Sequence, residues 1–190
     1  MSAAQVRVLC IGGSTRPGSS SEAALQVCAA AAAAAGASVD LIVSRALMFP
    51  IYDTETADRA PLAVQFIDAV RAADALIVAS PGYHGAMSGM IKNALDYLED
   101  TRNDERVYLD GMPVGCVAVA HGWQATVSTL HSLRAAVHAL RGWPSPLGAT
   151  INASSGRVDE AARLQLETVA GQVVEFAGLR RAHAMAGGRQ

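Results

Sequence analysis

The residues best suited to binding chemistry follow an apolar run near the middle of the chain. Residues 75–79 predict a buried strand, the sequence Pro-Gly-Tyr-His-Gly occupies residues 81–85, and a helical pattern starts near Gly89. Proline predicts a turn, and the two glycines leave backbone N–H groups uncovered by side chains. Tyr83 and His84 add a flat ring and a polar tip. Because open α/β sheets bind ligands at the carboxyl ends of their strands, this loop indicates a site for a planar ligand.

A second candidate loop lies close to the amino terminus. Residues 12–21 read Gly-Gly-Ser-Thr-Arg-Pro-Gly-Ser-Ser-Ser. The hydroxyls can donate hydrogen bonds, Arg16 offers a charged fork suited to phosphate, and the next helix adds free N–H groups at its start. The loop has neither the Gly-Lys-Ser/Thr of a Walker loop nor a GxGxxG pattern. On its own it fits either a phosphate-binding loop or a capped turn with a surface arginine.

A third loop, His-Gly-Trp-Gln at residues 121–124, follows another apolar run. Gly122 permits close approach of a ligand to the backbone. Trp123 either stacks on a ring or covers the core, and His121 either orients a ligand carbonyl or is simply solvated. The loop therefore supports a ligand site only in combination with the other two.

Composition limits the classes of protein to which the chain can belong. Its 190 residues fit one domain spanning residues 1–190, and 51% hydrophobic against 17% charged residues describe a globular fold. A net charge of -2 argues against a nucleic-acid partner, which requires a basic surface. The seven alanines at residues 29–35 are too few to cross a bilayer, which needs about 20 apolar residues. No signal peptide or membrane span is predicted.

The three cysteines carry no recognisable pairing pattern. Cys10 and Cys116 fall in apolar strands and Cys28 in an alanine-rich helix, without CxxC spacing or histidines at metal-ligand spacing. Buried structural thiols are the simplest interpretation. This usage suits a reducing cytoplasm, and no metal site is expected.

Strand and helix patterns alternate five times along the chain. Strands are predicted at residues 6–11, 38–43, 75–79, 113–120 and 148–151, helices lie between them, and a last helix at 158–176 precedes a loose tail at about 178–190. This alternation predicts an α/β protein with helices on both faces of a parallel sheet. The expected fold is a flavodoxin-like three-layer sandwich with a five-stranded sheet of order 2-1-3-4-5, whose switch point places the first two loops side by side.

Pairing a phosphate-type loop with a flat-ring loop narrows the ligand. A mononucleotide with an extended ring satisfies both, and flavin mononucleotide (FMN) fits this description. Adenine nucleotides fit less well, because no acidic residue at the usual spacing can clamp a ribose. Asp40 lies near that distance, but it falls inside a short strand without the glycine fingerprint.

These motifs resemble the NAD(P)H-dependent FMN reductase family. Residues 13–19, residues 81–85 and the segment 89–96 carry the resemblance, which is clear over residues 6–125. In that family the first loop holds the FMN phosphate, the second runs under the isoalloxazine, and the third lines its other edge. The resemblance therefore implies a cofactor site of Ser14, Arg16, Ser19, Ser20, Ser21, Pro81, Gly82, Tyr83, His84, Gly85, His121, Gly122 and Trp123, with no separate catalytic side chain.

Two residues depart from the usual pattern of the family. Gly82 stands where many members have Glu, and His84 where many have Asn. Both changes concern substrate preference more than FMN binding.

The resemblance also implies a reaction and a set of partners. Hydride passes from NADPH or NADH to N5 of FMN and then to a small-molecule acceptor such as free flavin, a quinone, an azo compound or a metal oxyanion. Related proteins form homodimers or homotetramers through the third helix, where Lys92 and Asp96 either pair within the helix or bridge protomers. A flavin-dependent monooxygenase is a further candidate partner.

A non-enzymatic electron carrier of the flavodoxin kind is the alternative. Such carriers are typically strongly acidic and flank the flavin with aromatic side chains. A net charge of -2 and an aromatic content of 5% fit that class poorly.

Overall fold

A parallel sheet forms the centre of the computed structural model, which describes residues 5–155 and 158–187. Its strands are β1 Arg7–Gly12, β2 Ser38–Val43, β3 Ala75–Tyr83, β4 Ala86–Met87, β5 Pro113–Ala120, β6 Trp143–Pro144 and β7 Ala149–Asn152. The order is β2-β1-β3-β5, and β6 and β7 both pair in parallel with β5. The predicted order 2-1-3-4-5 is confirmed, with β5 in the fourth position and the fifth divided into two pieces.

The sheet has seven strands where five are predicted. One extra strand is the short antiparallel β4, which pairs with the end of β3. The other arises because β6 and β7 share the last position. Pro144 ends β6 and Pro146 lies within the break between the two strands, and because proline has no N–H to donate, an unbroken ladder is disfavoured there.

Helices cover both faces of the sheet. They are α1 Ser20–Ala34, α2 Pro61–Ala72, α3 Gly89–Asp96, α4 Trp123–Ala139 and α5 Glu160–Gly187. Buried side chains of α1 and α5 form one core cluster with the sheet, whereas those of α2, α3 and α4 form the other. This arrangement is the predicted three-layer sandwich. None of the helices in the described part of the chain has the length and apolar character that crossing a bilayer requires.

The three cysteines are buried in the core as free thiols, as predicted. Burial penalises the thiolate and raises the pKa of Cys10 and of Cys116 to about 12. The pKa of Cys28 is raised for the same reason. These thiols therefore serve as small apolar groups rather than as nucleophiles.

The prediction of a loose carboxyl-terminal tail is wrong for most of the residues concerned. A loose tail is expected from about residue 178, but α5 continues to Gly187. Arg181 on this extension pairs with the carboxylate of Asp74, at the start of β3, and donates to a backbone carbonyl near the amino terminus. Gly178 lowers the helical signal in the sequence, whereas the long-range ion pair that holds the helix has no local signature. The last three residues lie outside the described part of the chain.

Candidate functional site

The three candidate loops meet at the carboxyl ends of β1, β3 and β5. They enclose a cavity of about 380 Å³ at the switch point of the sheet. The loops after the first and third strands therefore lie side by side, as the strand order predicts. The cavity is lined by Ser14, Thr15, Arg16, Ser19, Ser20, Ser21, Pro81, Gly82, Tyr83, Val119, Ala120, His121 and Ala153.

The loop after β1 turns sharply at two glycines. A Cβ on Gly12 would lie 2.5 Å from the backbone oxygen of Ala79, so only glycine lets β1 and β3 approach this closely at their ends. Gly13 follows with φ +96°, a backbone conformation that side chains disfavour. The chain is thereby directed away from the sheet and toward the start of α1.

Hydroxyl groups collect at the start of α1. Ser19 is the N-cap, and its Oγ accepts from the backbone N–H of Glu22 at 3.2 Å. Ser19 Oγ and Ser21 Oγ lie 3.1 Å apart. Within the part of the chain that the structure describes, the exposed Arg16 guanidinium forms no ion pair. A helix N-terminus with hydroxyl donors and an available guanidinium is suited to binding a phosphate.

The loop after β3 is a β-hairpin rather than the proline-initiated turn that the sequence predicts. Pro81 belongs to β3 and pairs in register with Val119 on β5. The turn falls at His84 and Gly85, whose φ angles of 51° and 87° are those of a type I′ turn. The prediction that Pro81 fixes the turn is wrong, because β3 extends beyond the buried apolar run and pairs with β4.

Gly82 has a packing role at this site. A Cβ built there would collide with Thr129 Oγ1 on α4 and lie 3.1 Å from Ala120 Cβ. In this chain the Thr129 side chain thus occupies the space beside residue 82. The close approach of α4 to the hairpin gives a structural reason for glycine at this position.

The remaining predicted residues lie outside the cavity lining. His84 and Gly85 form the tip of the hairpin. The backbone N–H of Gly122 donates to Asn152 Oδ1 at 3.1 Å, which ties the start of α4 to the end of β7. Trp123 is 60% exposed and lines a neighbouring cavity with Asn152, Ser154 and other residues. The structure therefore brings the first two loops together closely and the third only through His121 and the preceding strand.

The cavity lining combines polar and apolar residues. Among its lining residues, which all lie in the described part of the chain, there is no carboxylate. Arg16, Tyr83 and His121 are its ionisable members, and the nearby strand cysteines are buried. The lining offers no nucleophile–base pair of the kind that covalent catalysis requires. A site of this composition is suited to binding an anion together with a ring.

Comparison with known proteins shows the family of the chain. A model of the NADPH-dependent FMN reductase family matches residues 6–173. The chain belongs to this family. Its resemblance to the FMN reductases, predicted from two motifs, is thereby confirmed, and the match extends halfway along α5.

The chain is similar in sequence to curated enzymes, of which two are described here. It is 36% identical over 89 residues to the NADPH azoreductase of Bacillus sp., a match that covers 46% of this chain and 47% of the relative. It is 34% identical over 131 residues to an NAD(P)H-dependent FMN reductase of Pseudomonas aeruginosa, and the match covers 68% of each chain. The chain thus spans about half of the first relative and two thirds of the second.

Solved structures confirm the flavodoxin-like fold. The flavoenzyme NAD(P)H:(acceptor) oxidoreductase of Paracoccus denitrificans superposes with a TM-score of 0.74 at 20% identity, covering 91% of this chain and 97% of that one. A flavodoxin-type WrbA-like protein of Agrobacterium tumefaciens gives 0.66 at 17% identity, covering 92% and 99%. At such identities the likeness concerns the fold.

The residues of the cavity fit the cofactor that the FMN reductase family implies. The N-terminus of α1, the hydroxyls of Ser19, Ser20 and Ser21, and the Arg16 guanidinium supply hydrogen-bond donors and positive charge for a terminal phosphate. Tyr83 and Pro81 border the same cavity and offer flat, apolar surface for a ring. No cavity-lining carboxylate would repel the phosphate.

The cavity is also lined by four residues that the sequence motifs do not single out. Thr15 lies within the phosphate-type loop, and Val119 and Ala120 end β5 just before His121, so position along the chain could have indicated them. Ala153 follows β7 and has no chemical signal of its own in the sequence. Only the pairing of β7 with β5 brings it to the site.

Proposed function

We propose that this chain is an NAD(P)H-dependent FMN oxidoreductase that binds its cofactor in the cavity at the switch point. One observation carries this proposal: a hydroxyl-rich loop at a helix N-terminus and a hairpin bearing Tyr83 border the same cavity. FMN held there would supply the redox chemistry: acceptance of a hydride from NADPH or NADH and two-electron reduction of an acceptor, with the one further proton taken from water.

In this proposal the loop after β1 binds the phosphate of FMN. Arg16 supplies a charged, two-pronged donor, and Ser19, Ser20 and Ser21 supply hydroxyls beside the free N–H groups of α1. Ser14 contributes by holding the loop, since its Oγ accepts from the backbone N–H of Arg16 at 3.1 Å. These groups would account for most of the affinity for the charged end of the cofactor.

The hairpin and the end of β5 are proposed to position the flavin ring. Pro81, Gly82 and Tyr83 line the cavity that would hold the ring, and so does His121. Ser80, fully buried, accepts from the backbone N–H of Ser88 at 2.9 Å and so fixes the base of the hairpin against the start of α3. A fixed hairpin lets the ring bind in a single orientation. His84, Gly85, Gly122 and Trp123 are proposed to border the outer edge, where substrates arrive.

The acceptor is proposed to be a small molecule, with azo compounds and quinones as the leading classes. The azo assignment is supported by the names of relatives, among them the NADPH azoreductase of Bacillus sp. and an FMN-dependent NADPH-azoreductase of Staphylococcus haemolyticus. Free flavin and, through it, a flavin-dependent monooxygenase are further candidates. The three buried free thiols suit work in a reducing compartment such as the cytoplasm.

A homodimer or homotetramer is also proposed. Ile51 is 87% exposed on a segment that is fixed to α3, because the backbone N–H of Tyr52 donates to Asn93 Oδ1 at 2.8 Å. An ordered, exposed apolar side chain beside this helix supports an interface there. Lys92 and Asp96 pair with each other within α3 and remain half exposed, so both are available to a second copy.

Reduction of the bound cofactor by nicotinamide nucleotides tests the proposal. Purified protein loaded with FMN is mixed anaerobically with NADPH or NADH, and flavin absorbance is followed. We expect rapid bleaching by at least one nucleotide, and then reoxidation when an azo compound or quinone is added. Absence of bleaching by both would contradict a reductase and favour an electron carrier. Retention of FMN through gel filtration would indicate a prosthetic group rather than a released substrate.

A further inference from the structure

Glu22 connects the loop after β1 to the end of β2. One oxygen of its carboxylate, Oε2, accepts two hydrogen bonds, from the backbone N–H of Gly18 at 3.1 Å and from Ser44 Oγ at 2.7 Å. Gly18 belongs to the proposed phosphate loop, whereas Ser44 lies just beyond β2 at the neighbouring position in the sheet. The carboxylate thus bridges two segments that are far apart in sequence.

The bridge is built from constrained groups. Ser44 is buried and has φ 52°, unusual for a residue other than glycine, while Gly18 has φ +66°. A Cβ on Gly13 would lie 3.2 Å from Ser44 Oγ and 3.6 Å from Glu22 Cβ. Both ends of the loop therefore rest on the Glu22–Ser44 pair, Gly13 by packing and Gly18 by a hydrogen bond.

We propose that Glu22 is a positioning residue for the phosphate of the cofactor. By accepting from Gly18 and Ser44 it holds the loop in the conformation in which Arg16 and the serine hydroxyls converge. This inference rests on the proposed FMN site and assigns a role to a residue that does not line the cavity.

The bonding pattern separates this role from ordinary helix capping. Ser19 and Glu22 have the spacing of a capping box, in which the carboxylate would return to the backbone N–H of Ser19 itself. Here it reaches Gly18, one residue earlier, and also Ser44. A capping box would stabilise α1 alone, whereas this arrangement fixes the loop that precedes it.

Hydrogen-bond acceptance, rather than negative charge, is the property that Glu22 contributes. A carboxylate beside a phosphate site repels the phosphate, so its charge works against binding. Because both bonds are made to the same oxygen, the amide oxygen of Gln can accept both without the charge. Glu22→Gln should therefore preserve the loop, and Glu22→Ala should release it.

The test compares FMN with riboflavin, which has the same ring and lacks the phosphate. Dissociation constants are measured from flavin fluorescence for the wild type, Glu22→Ala, Glu22→Gln and Ser44→Ala. Glu167→Ala serves as the matched control, since it removes an exposed helical glutamate whose partner Arg163 is 3.8 Å away on α5. Thermal unfolding of each variant reports whether it folds.

We expect Glu22→Ala to bind FMN roughly tenfold to 150-fold more weakly, the range of a hydrogen bond to a charged group, and to bind riboflavin within about twofold of the wild type. Glu22→Gln should bind FMN within about threefold of the wild type, and Ser44→Ala should weaken the binding of FMN but not of riboflavin.

Equally weakened binding of both ligands, or unchanged FMN affinity in Glu22→Ala, would overturn the inference. Where Glu22→Ala does not fold, Ser44→Ala decides by the same comparison. A wild type that binds no FMN would overturn the proposed function and this inference together, whereas a normal wild type with an unaffected Glu22→Ala would overturn the inference only.

Discussion

Thr129 on α4 occupies the space in which a side chain at position 82 would lie. Its Oγ1 would collide with a Cβ built on Gly82, and it also donates to the backbone oxygen of Ala86 at 3.4 Å. The hairpin that borders the cavity is thus pressed against α4, and the shape of the site depends on this helix as well as on the loops.

Gly82→Ala should destabilise the protein by about 1–3 kcal/mol, because the added methyl overpacks a close helix–hairpin contact. Thr129→Ala removes the obstructing hydroxyl, so the double variant should lose less than the sum of the two single losses. Urea unfolding of the four proteins measures this coupling. Gly171→Ala on α5, where an added Cβ has no neighbour within 4 Å, is the matched control and should leave stability unchanged or raise it. Additive losses would show that the contact is looser than described.

Arg16→Ala should weaken FMN binding by about 1–3 kcal/mol, the scale of a charged hydrogen bond, and leave riboflavin binding nearly unchanged. Titration at several salt concentrations adds a second readout, since the wild-type affinity should fall with salt more steeply than that of the variant. Arg163→Ala, on an exposed face of α5, controls for loss of a positive charge. Unchanged FMN affinity would remove Arg16 from the site.

The ion pair between Arg59 and Asp100 predicts a pH dependence of stability. Arg59 donates to both carboxylate oxygens at 2.8 and 2.7 Å, and this bonding lowers the pKa of Asp100 below its usual 3.8, with a further contribution from the Tyr52 hydroxyl. Because the folded-state pKa is the lower one, the stabilisation is complete above the usual value. It is lost as pH falls from about 3.8 through the folded-state pKa.

Asp100→Asn should therefore lower the free energy of unfolding by about 1–2 kcal/mol at pH 7, and the difference from the wild type should shrink at pH 3. Urea unfolding at the two pH values checks this. Asp68→Asn, whose side chain is 63% exposed beside Arg71, should have little effect at either pH. A difference for Asp100→Asn that grows in acid would contradict the assigned direction of the pKa.

The three thiols should be unreactive in the folded protein. Cys10, Cys28 and Cys116 are buried and their pKa values are raised by burial, so a disulfide reagent at pH 8 should label them only as the chain unfolds. Labelling in urea should reveal all three. Rapid reaction of one thiol under native conditions would show that one face of the core opens readily.

The strand order and the phosphate-type loop could be predicted because their signals are local. Apolar runs mark the buried strands, and residues 12–21 carry their own glycines and hydroxyls. β4 could not be predicted, since two residues show no periodicity and the strand exists only as the partner of β3. The obstruction at Gly82 depends on Thr129, which a helix far along the chain delivers.

The carboxyl-terminal helix shows the same limit. Composition near Gly178 suggests that the helix ends, while the ion pair of Arg181 with Asp74 holds a helix that continues to Gly187. Local propensity is a weak signal that tertiary contacts override. Residues that depend on distant partners, such as Ala153 and Glu22, escape prediction for the same reason.

The type I′ hairpin also limits how this protein can diversify. Side chains alternate between the two faces of a strand, so inserting one residue into each arm would turn the Tyr83 ring to the opposite face. Inserting two residues into each arm would return the Tyr83 ring to its original face of the hairpin and would move the tip outward. Lengthening the hairpin by two residues in each arm would therefore change how far its tip extends over the cavity, while the residues at its base would keep their positions.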